Sequence, residues 1–237
     1  MTTKTIALVT GANKGLGLEI ARQLGKKGLT VVLGARDEAR GNAAVAELQR
    51  EGIDAHAVKL DVGSTADVGA LESFFKQKFG RLDVLVNNAG VADWMNDDVD
   101  AFRRTFEANV FGVIAVTYAL LPLIKASPAG RIVNQSSILG SLGTLSAAPE
   151  QFGEMVNPAY TTSKAALNGF TVALAHKLRA THVKVNSAHP GWVKTDLGSD
   201  AAPMGVVDGA KTAVTLATLP PDGPTGGFFH MGERLPW

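Results

Sequence analysis

Apolar residues in this chain fall into two rhythms that alternate from one end to the other. Short runs such as Thr5 to Thr10 (T-I-A-L-V-T) are rich in residues that suit a buried strand, and each is followed by a stretch with helical spacing. After the first run, Leu18, Ile20, Ala21 and Leu24 mark one face of a helix. Read this way, strands fall near residues 5–10, 30–35, 54–59, 82–87, 131–136, 182–188 and 226–229. Helices fall near 16–27, 38–51, 65–79, 98–125, 159–179 and 204–218. Local signals agree: Ser64 with Asp67 three residues on reads as a capping box, and Asp37 before E-A-R reads as an N-cap. Alternation without a composition break predicts an α/β fold, a doubly wound parallel sheet of about seven strands with helices on both faces, in a single domain spanning 1–237. Only residues 138–158 read as structureless, and long loops of this sort are usually functional or mobile.

Composition narrows the possibilities. With 237 residues and 46% apolar content the chain can bury a large core. Lys plus Arg number 23 against 22 Asp plus Glu, and no block of like charge suggests a nucleic-acid groove or an anionic membrane partner. There is no cysteine, and none of the five histidines (His56, His176, His182, His189, His230) forms a close ligand pair with another, so no metal is expected. M-T-T-K leads straight into the first strand and no apolar run approaches a signal core or a membrane span, which predicts a soluble cytoplasmic protein.

Two patterns carry chemistry. Between the first strand and its helix lies G11-A-N-K-G15-L-G17: Gly11 permits a tight turn, Gly15 and Gly17 allow close backbone approach, and the helix N-terminus offers free N–H groups to a pyrophosphate. Such a loop is equally read as a structural turn. The second pattern is Y160-T-T-S-K164, which projects a phenol and an ammonium from one helix face. A tyrosine has an ordinary pKa near ~10, and a neighbouring ammonium is expected to lower it toward the range of efficient proton transfer. In a sheet of the predicted kind ligands bind beyond the carboxyl ends of the strands, where the glycine loop, N87-N-A-G90, Ser137 and Pro190 fall.

The order of the pieces identifies a family. T10-G-x-x-x-G-x-G17, N87-N-A-G90 after the strand D-V-L-V, Asn109 in A-N-V-F-G, R131-I-V-N-Q-S-S137, Y160-x-x-x-K164 and P190-G-W-V-K-T195 resemble short-chain dehydrogenases/reductases from Ile6 to Phe229. The phrases G-A-N-K-G-L-G-L, G-A-R-D-E-A-R-G, L-L-P-L-I-K and G-E-R-L-P-W resemble the carbonyl reductase branch.

The resemblance implies a Rossmann-type fold and NADPH-dependent reduction of a carbonyl (ketone, aldehyde, quinone or dicarbonyl) to an alcohol. It gives Tyr160 the role of proton donor, and gives Lys164 two: lowering the Tyr160 pKa and holding the nicotinamide ribose. Ser137 would bond the substrate oxygen, with Ser136 as the competing choice. Asn109 would hold a water in the relay to Lys164, a role compatible with a buried amide tying helix to sheet.

The cofactor would rest on Gly11, Asn13, Lys14, Gly15, Leu16 and Gly17 of the glycine loop, on Asn88, Ala89 and Gly90, and on Pro190, Gly191, Val193 and Thr195 at the nicotinamide end. Asp61 and Val62 would hold the adenine. At the end of the second strand Ala35 stands where an NAD enzyme usually has an acid, and Arg36 with Lys14 offers two cations to a 2′-phosphate. The cofactor read from this is NADP(H), and the competing reading makes Asp37 the ribose ligand of NAD.

Trp94, Trp192, Leu139, Phe152 and Met155 are candidates to wall an apolar pocket, with the stretch between Ser137 and Tyr160 forming one side. Rival readings are alcohol oxidation and a non-catalytic NADP-binding sensor. Enoyl reduction is disfavoured, because the superfamily's enoyl reductases commonly space Tyr and Lys more widely. The insertion before Tyr160 resembles one that covers a tetramer surface in relatives with a longer insert, which favours a monomer and leaves a dimer open.

Overall fold

The computed structural model describes residues 4–237. The strands β1 (Ile6–Thr10), β2 (Thr30–Ala35), β3 (Ala55–Lys59), β4 (Val84–Asn87), β5 (Arg131–Gln135), β6 (Lys184–Ala188) and β7 (Phe228–His230) lie parallel in the order 3-2-1-4-5-6-7. An eighth strand, β8 (Glu233–Leu235), closes the edge antiparallel to β7, so the expected seven become eight. Met231 and Gly232 both take positive φ (49° and 93°), which makes the two-residue hairpin turn between them. Three mostly exposed residues have no apolar alternation to announce a strand, and hydrophobic patterning therefore passes over β8.

Alternation along the central strands sends side chains to two cores. Ala7, Val9, Val31 and Leu33 pack with Ile20 and Leu24 of α1 (Gly15–Lys26), Leu48 of α2 (Glu38–Arg50) and Ala213 of α8 (Val206–Ala217). Leu8, Val32 and Leu85 face the other way. They meet Leu71 and Phe75 of α3 (Thr65–Lys78), Leu120 and Ile124 of α5 (Gly112–Ala126) and Leu174 of α7 (Pro158–Lys177). Each fully buried side chain of this size contributes roughly 1.5–3 kcal/mol. The carboxyl ends of all the parallel strands are thereby held at one edge.

Helix starts follow their local signals, with one difference. Asp37 accepts from Arg40 N at 3.0 Å and caps α2; Ser64 accepts from Asp67 N at 3.2 Å and caps α3. The capping box at Ser64 is only half made: the Asp67 carboxylate accepts from Asp61 N at 2.9 Å and so fixes the end of the β3 loop.

The single helix expected over 98–125 is α4 (Val99–Phe106), a π turn over Glu107–Phe111, and α5. Glu107–Phe111 hold no Gly or Pro to announce the break, since a π turn adds one residue per turn without either. Together Val99–Ala126 make 28 residues, within which an 18-residue window has mean hydropathy 1.7; the helix is long and apolar enough by composition to cross a membrane, contrary to the expectation that no run approaches that. Here they form a core helix, with Val116, Leu120 and Ile124 fully buried.

Residues 138–158 are not structureless. They form a 3₁₀ turn over Ile138–Gly140, a short helix α6 (Leu142–Ala147) and two further 3₁₀ turns over Pro149–Gln151 and Gly153–Met155. Ser141 ties the segment to the C-terminal strand pair, donating to Pro236 O at 2.8 Å, while Gly143 N donates to Trp237 O at 2.6 Å.

Candidate active site

Beyond the carboxyl ends of β4, β5 and β6 lies a cavity of about 800 Å³. It is lined by Ser136, Ser137, Leu139, Phe152, Met155, Tyr160, Pro190, Trp192, Val193 and Thr195, among others. Tyr160 enters it from the first turn of α7, and Lys164 follows one turn later. Asn157 caps that helix through Oδ1, which accepts from Tyr160 N at 2.9 Å, and Pro158 occupies the first position.

The Tyr160 ring lies among Leu139, Phe152 and Trp94, whose ring centroid is 5.0 Å away. Lys164 Nζ stands 5.5 Å from the Tyr160 ring centroid and donates to Gln135 O at 2.9 Å.

Burial sets the protonation of both groups. The Tyr160 phenol is pushed up to about 12 by its removal from water, against which the hydrogen-bonded Ser137 hydroxyl works. Lys164 is pushed down to about 8 for the same reason. The expectation that the ammonium lowers the phenol's pKa is therefore corrected: the cost of burying either charge outweighs their attraction, and Tyr160 stands in its proton-carrying form.

The π turn aims Asn109 into this cluster. Its Oδ1 accepts from Val91 N at 2.8 Å, and its Nδ2 donates to Val91 O at 2.9 Å and to Ser163 Oγ at 3.1 Å. Gly90 lies between Asn109 and Lys164. A methyl group there would come 3.1 Å from Asn109 Oδ1 and 3.5 Å from Lys164 Nζ.

Ser137 Oγ accepts from Leu139 N at 3.2 Å, whereas Ser136 Oγ is buried without a partner among the described residues. His189 accepts from Ile138 N at 3.2 Å through Nδ1, and burial beside His230 holds its pKa at about 3.

The glycine loop meets N87-N-A-G90 through half-buried contacts. Thr10 Oγ1 accepts from Asn88 N and Ala89 N at 3.0 and 2.9 Å, and Asn88 Nδ2 donates to Thr10 O and Gly11 O at 2.9 and 3.2 Å. A Cβ at Gly17 would lie 2.5 Å from both Asn88 Nδ2 and Gly11 O, so only glycine fits there. Asn88 is thus engaged in holding the loop.

No described side chain caps the N-terminus of α1, and Lys14 and Gly15 ahead of Leu16 are exposed, with Asn13 half-buried. Free N–H groups at the head of a helix suit a phosphate.

The cationic pair does not come together as expected. Lys14 is ion-paired with Asp196, next to Thr195, while Arg36 is exposed at the end of β2. An exposed carboxylate within reach attracts the lysine across the crevice. Asp61 accepts from Gly63 N at 3.1 Å, and Val62 packs against Gly112, where a Cβ would meet it at 2.9 Å.

Gly191 and Val193 follow Pro190 in a segment bridged to Met204. Trp94 Nε1 donates to Leu197 O at 3.0 Å and Trp192 Nε1 to Gly198 O, closing the outer wall. Phe152 is buried and Met155 is 43% exposed at the rim.

Two residues escape a reading of the sequence. Asn157 Nδ2 donates to Asp93 O and Asn96 O at 3.0 and 3.3 Å, joining the Trp94 loop to the head of the Tyr160 helix. Its signal is the N-cap signature in N157-P-A-Y160. Arg40 stands in the first turn of α2, 3.7 Å from Asp37 through Nε, four residues after Arg36.

The chain belongs to the short-chain dehydrogenases: the model of the family "short chain dehydrogenase" matches residues 5–204. It is 37% identical to "Carbonyl reductase [NADPH] 1" of Mus musculus, covering 99% of both chains. It is 36% identical to "(+)-neomenthol dehydrogenase" of Arabidopsis thaliana, over 98% of this chain and 97% of that one. Among solved structures, salutaridine reductase from Papaver somniferum is 32% identical with a TM-score of 0.83, covering 96% of this chain and 100% of that one.

Proposed function

We propose that this protein, acting as one domain, reduces a small-molecule carbonyl to an alcohol by hydride transfer from NADPH, with Tyr160 as general acid. The observation that carries the reading is that Tyr160 and Ser137 line one apolar-walled cavity, with Lys164 against the Tyr160 ring and Asn109 bonded to Ser163 behind them.

The chain is an NADP-dependent oxidoreductase, and its residues fit that cofactor. The uncapped head of α1 and the glycine loop would hold the pyrophosphate, and Arg36, Arg40 and Lys14 the 2′-phosphate. Asp61, Val62 and Ala89 would hold the adenosine half; Pro190, Gly191, Val193 and Thr195 the nicotinamide. NADP, when bound, supplies the hydride.

The chain's own residues do the rest. Tyr160 bonds the substrate oxygen and gives it a proton as charge grows there, which is worth about 10² to 10⁴ in rate. Ser137, bonded to the phenol, holds the same oxygen. Lys164, held by Gln135 O, keeps a positive charge beside the phenol and would hold the nicotinamide ribose of a bound cofactor. Asn109, fixed by the π turn, holds the water through which the proton on Lys164 is replaced.

The substrate enters between Trp94, Trp192, Phe152 and Met155. NADPH oxidation measured across ketones, aldehydes, quinones and dicarbonyls is the test, and absence of turnover with every class would leave the sensor reading. The name of the Arabidopsis relative favours alcohol oxidation as the second reading, which the same assay run with alcohols and NADP⁺ decides.

A cytoplasmic location goes with this activity and is checked by cell fractionation. For assembly the monomer is the favoured reading with a dimer left open, and sedimentation velocity distinguishes them.

A further inference from the structure

Gln135 is the last residue of β5, and its side chain is 6% exposed. Its carbonyl holds Lys164, yet neither Nε2 nor Oε1 of its side chain has a hydrogen-bond partner among the described residues. A buried amide with both ends unpaired is costly and needs an explanation.

The direction of the side chain follows from the sheet. Gln135 shares a strand face with Val133 and is in register with Ala188, and both of those pack with α1 and α8. The amide therefore sits on the glycine-loop side of the sheet, at its carboxyl edge.

The strand order reverses between β1 and β4, so the adenosine half of a dinucleotide lies over β1 to β3 and the nicotinamide half over β4 to β6. Tyr160 fixes where the reacting carbonyl must be, and the hydride donor has to meet it at the end of β5.

We infer that Gln135 is a positioning residue for the cofactor: its side-chain amide hydrogen-bonds the carboxamide of the nicotinamide of NADPH. This rests on the NADPH-dependent reading given above. An amide offers both a donor and an acceptor and so matches a carboxamide, which has the same pair.

The test compares NADPH with 2′-phospho-ADP-ribose, which keeps every part of the cofactor except the nicotinamide. Both dissociation constants are measured for the whole chain, by protein fluorescence, in the natural protein and in Gln135→Leu. The expected result is NADPH binding weakened about five- to tenfold, 2′-phospho-ADP-ribose binding unchanged, and a melting temperature without ligand that is equal or higher. NADPH binding that does not change, or equal weakening of both ligands, would overturn the inference and point to a buried water or a structural role.

Gln135→Met, which keeps the length of the side chain, is the second variant. Failure of both to fold counts against the inference, because the amide would then be needed by the protein itself. A natural protein that binds neither ligand sinks the proposed function instead, which keeps the two failures apart.

Discussion

The two edges of the sheet treat buried polar groups in opposite ways. Where the strands begin, Asp83 is buried and fully engaged: its carboxylate accepts from Ile6 N at 2.7 Å, from Arg81 Nε at 2.9 Å and from Ser127 Oγ. Beside it the buried Arg131 donates to the carbonyls of Leu219, Gly130 and Pro220. Where the strands end, Gln135 and Ser136 are equally buried, and their side chains have no partner among the described residues. Even charged groups can be buried when every lone pair and proton is used, whereas neutral ones left unpaired mark a place completed by something else. The first edge is a finished structure and the second is finished by a ligand.

This contrast can be broken by substitution at either edge. Tyr160→Phe keeps the ring against Trp94 and removes only the hydroxyl, so carbonyl reduction should fall about 10²-fold or more with NADPH affinity and unfolding midpoint nearly intact. Turnover near that of the natural protein would remove Tyr160 as the acid. Asp83→Ala should do the reverse. It strands three donors at the other edge and should lower stability by about 3–5 kcal/mol in urea unfolding, while the folded fraction keeps its kcat. A fall in kcat with stability unchanged would show that the edges are not separate.

Cofactor choice sharpens the comparison further. Replacing Lys14 and Arg36 together by Ala should weaken NADPH by about 1.5–3 kcal/mol for each charge-assisted hydrogen bond to the 2′-phosphate, with NADH little affected. The quantity to follow is the ratio of their kcat/KM. The share due to Lys14 should be the smaller, since Asp196 already engages it. An unchanged ratio would bring Asp37 back as the ribose ligand.

The pH profile of kcat/KM, which reports the free enzyme, should be high below about 8 and fall as pH rises through that value, because Lys164 loses its charge there. Tyr160, held at about 12, keeps its proton throughout. A profile flat across pH 8 would mean that Lys164 stays charged or is not needed. Smallest should be the effects of Phe152→Ala and Met155→Ala, a few-fold and unequal between bulky and small carbonyls. Equal effects on every substrate would make the wall mere packing.

Much of this is legible in the chain because it is local. The glycine loop, the four-residue spacing of Tyr160 and Lys164 and the caps at Asp37 and Ser64 depend on residues a few positions apart, and covalent geometry carries them into the fold. The rest depends on burial. Whether Lys164 lowers the Tyr160 pKa is decided by how dry the site is, which only packing of Leu139, Phe152 and Trp94 determines. The π turn, the pairing of Lys14 with Asp196 and the unpaired amide of Gln135 likewise arise from contacts between distant segments. The short turns of 138–158 lack periodicity because none is long enough to show one.

The 3₁₀ turn that begins that segment has a bearing on how the site can be rebuilt. A Cβ at Gly140 would lie 2.6 Å from the backbone carbon of Lys164 and 2.7 Å from its Cβ, and Asn168 Nδ2 donates to Gly140 O at 3.0 Å. The turn and the lysine thus move as one piece, while Leu142 and Met155 further along face solvent. A natural seam therefore falls just after Gly140. Transplanting the wall of another reductase from Ser141 to Val156 should change what the cavity admits and keep Lys164 in register. A graft that starts three residues earlier carries the lysine's own support away with it.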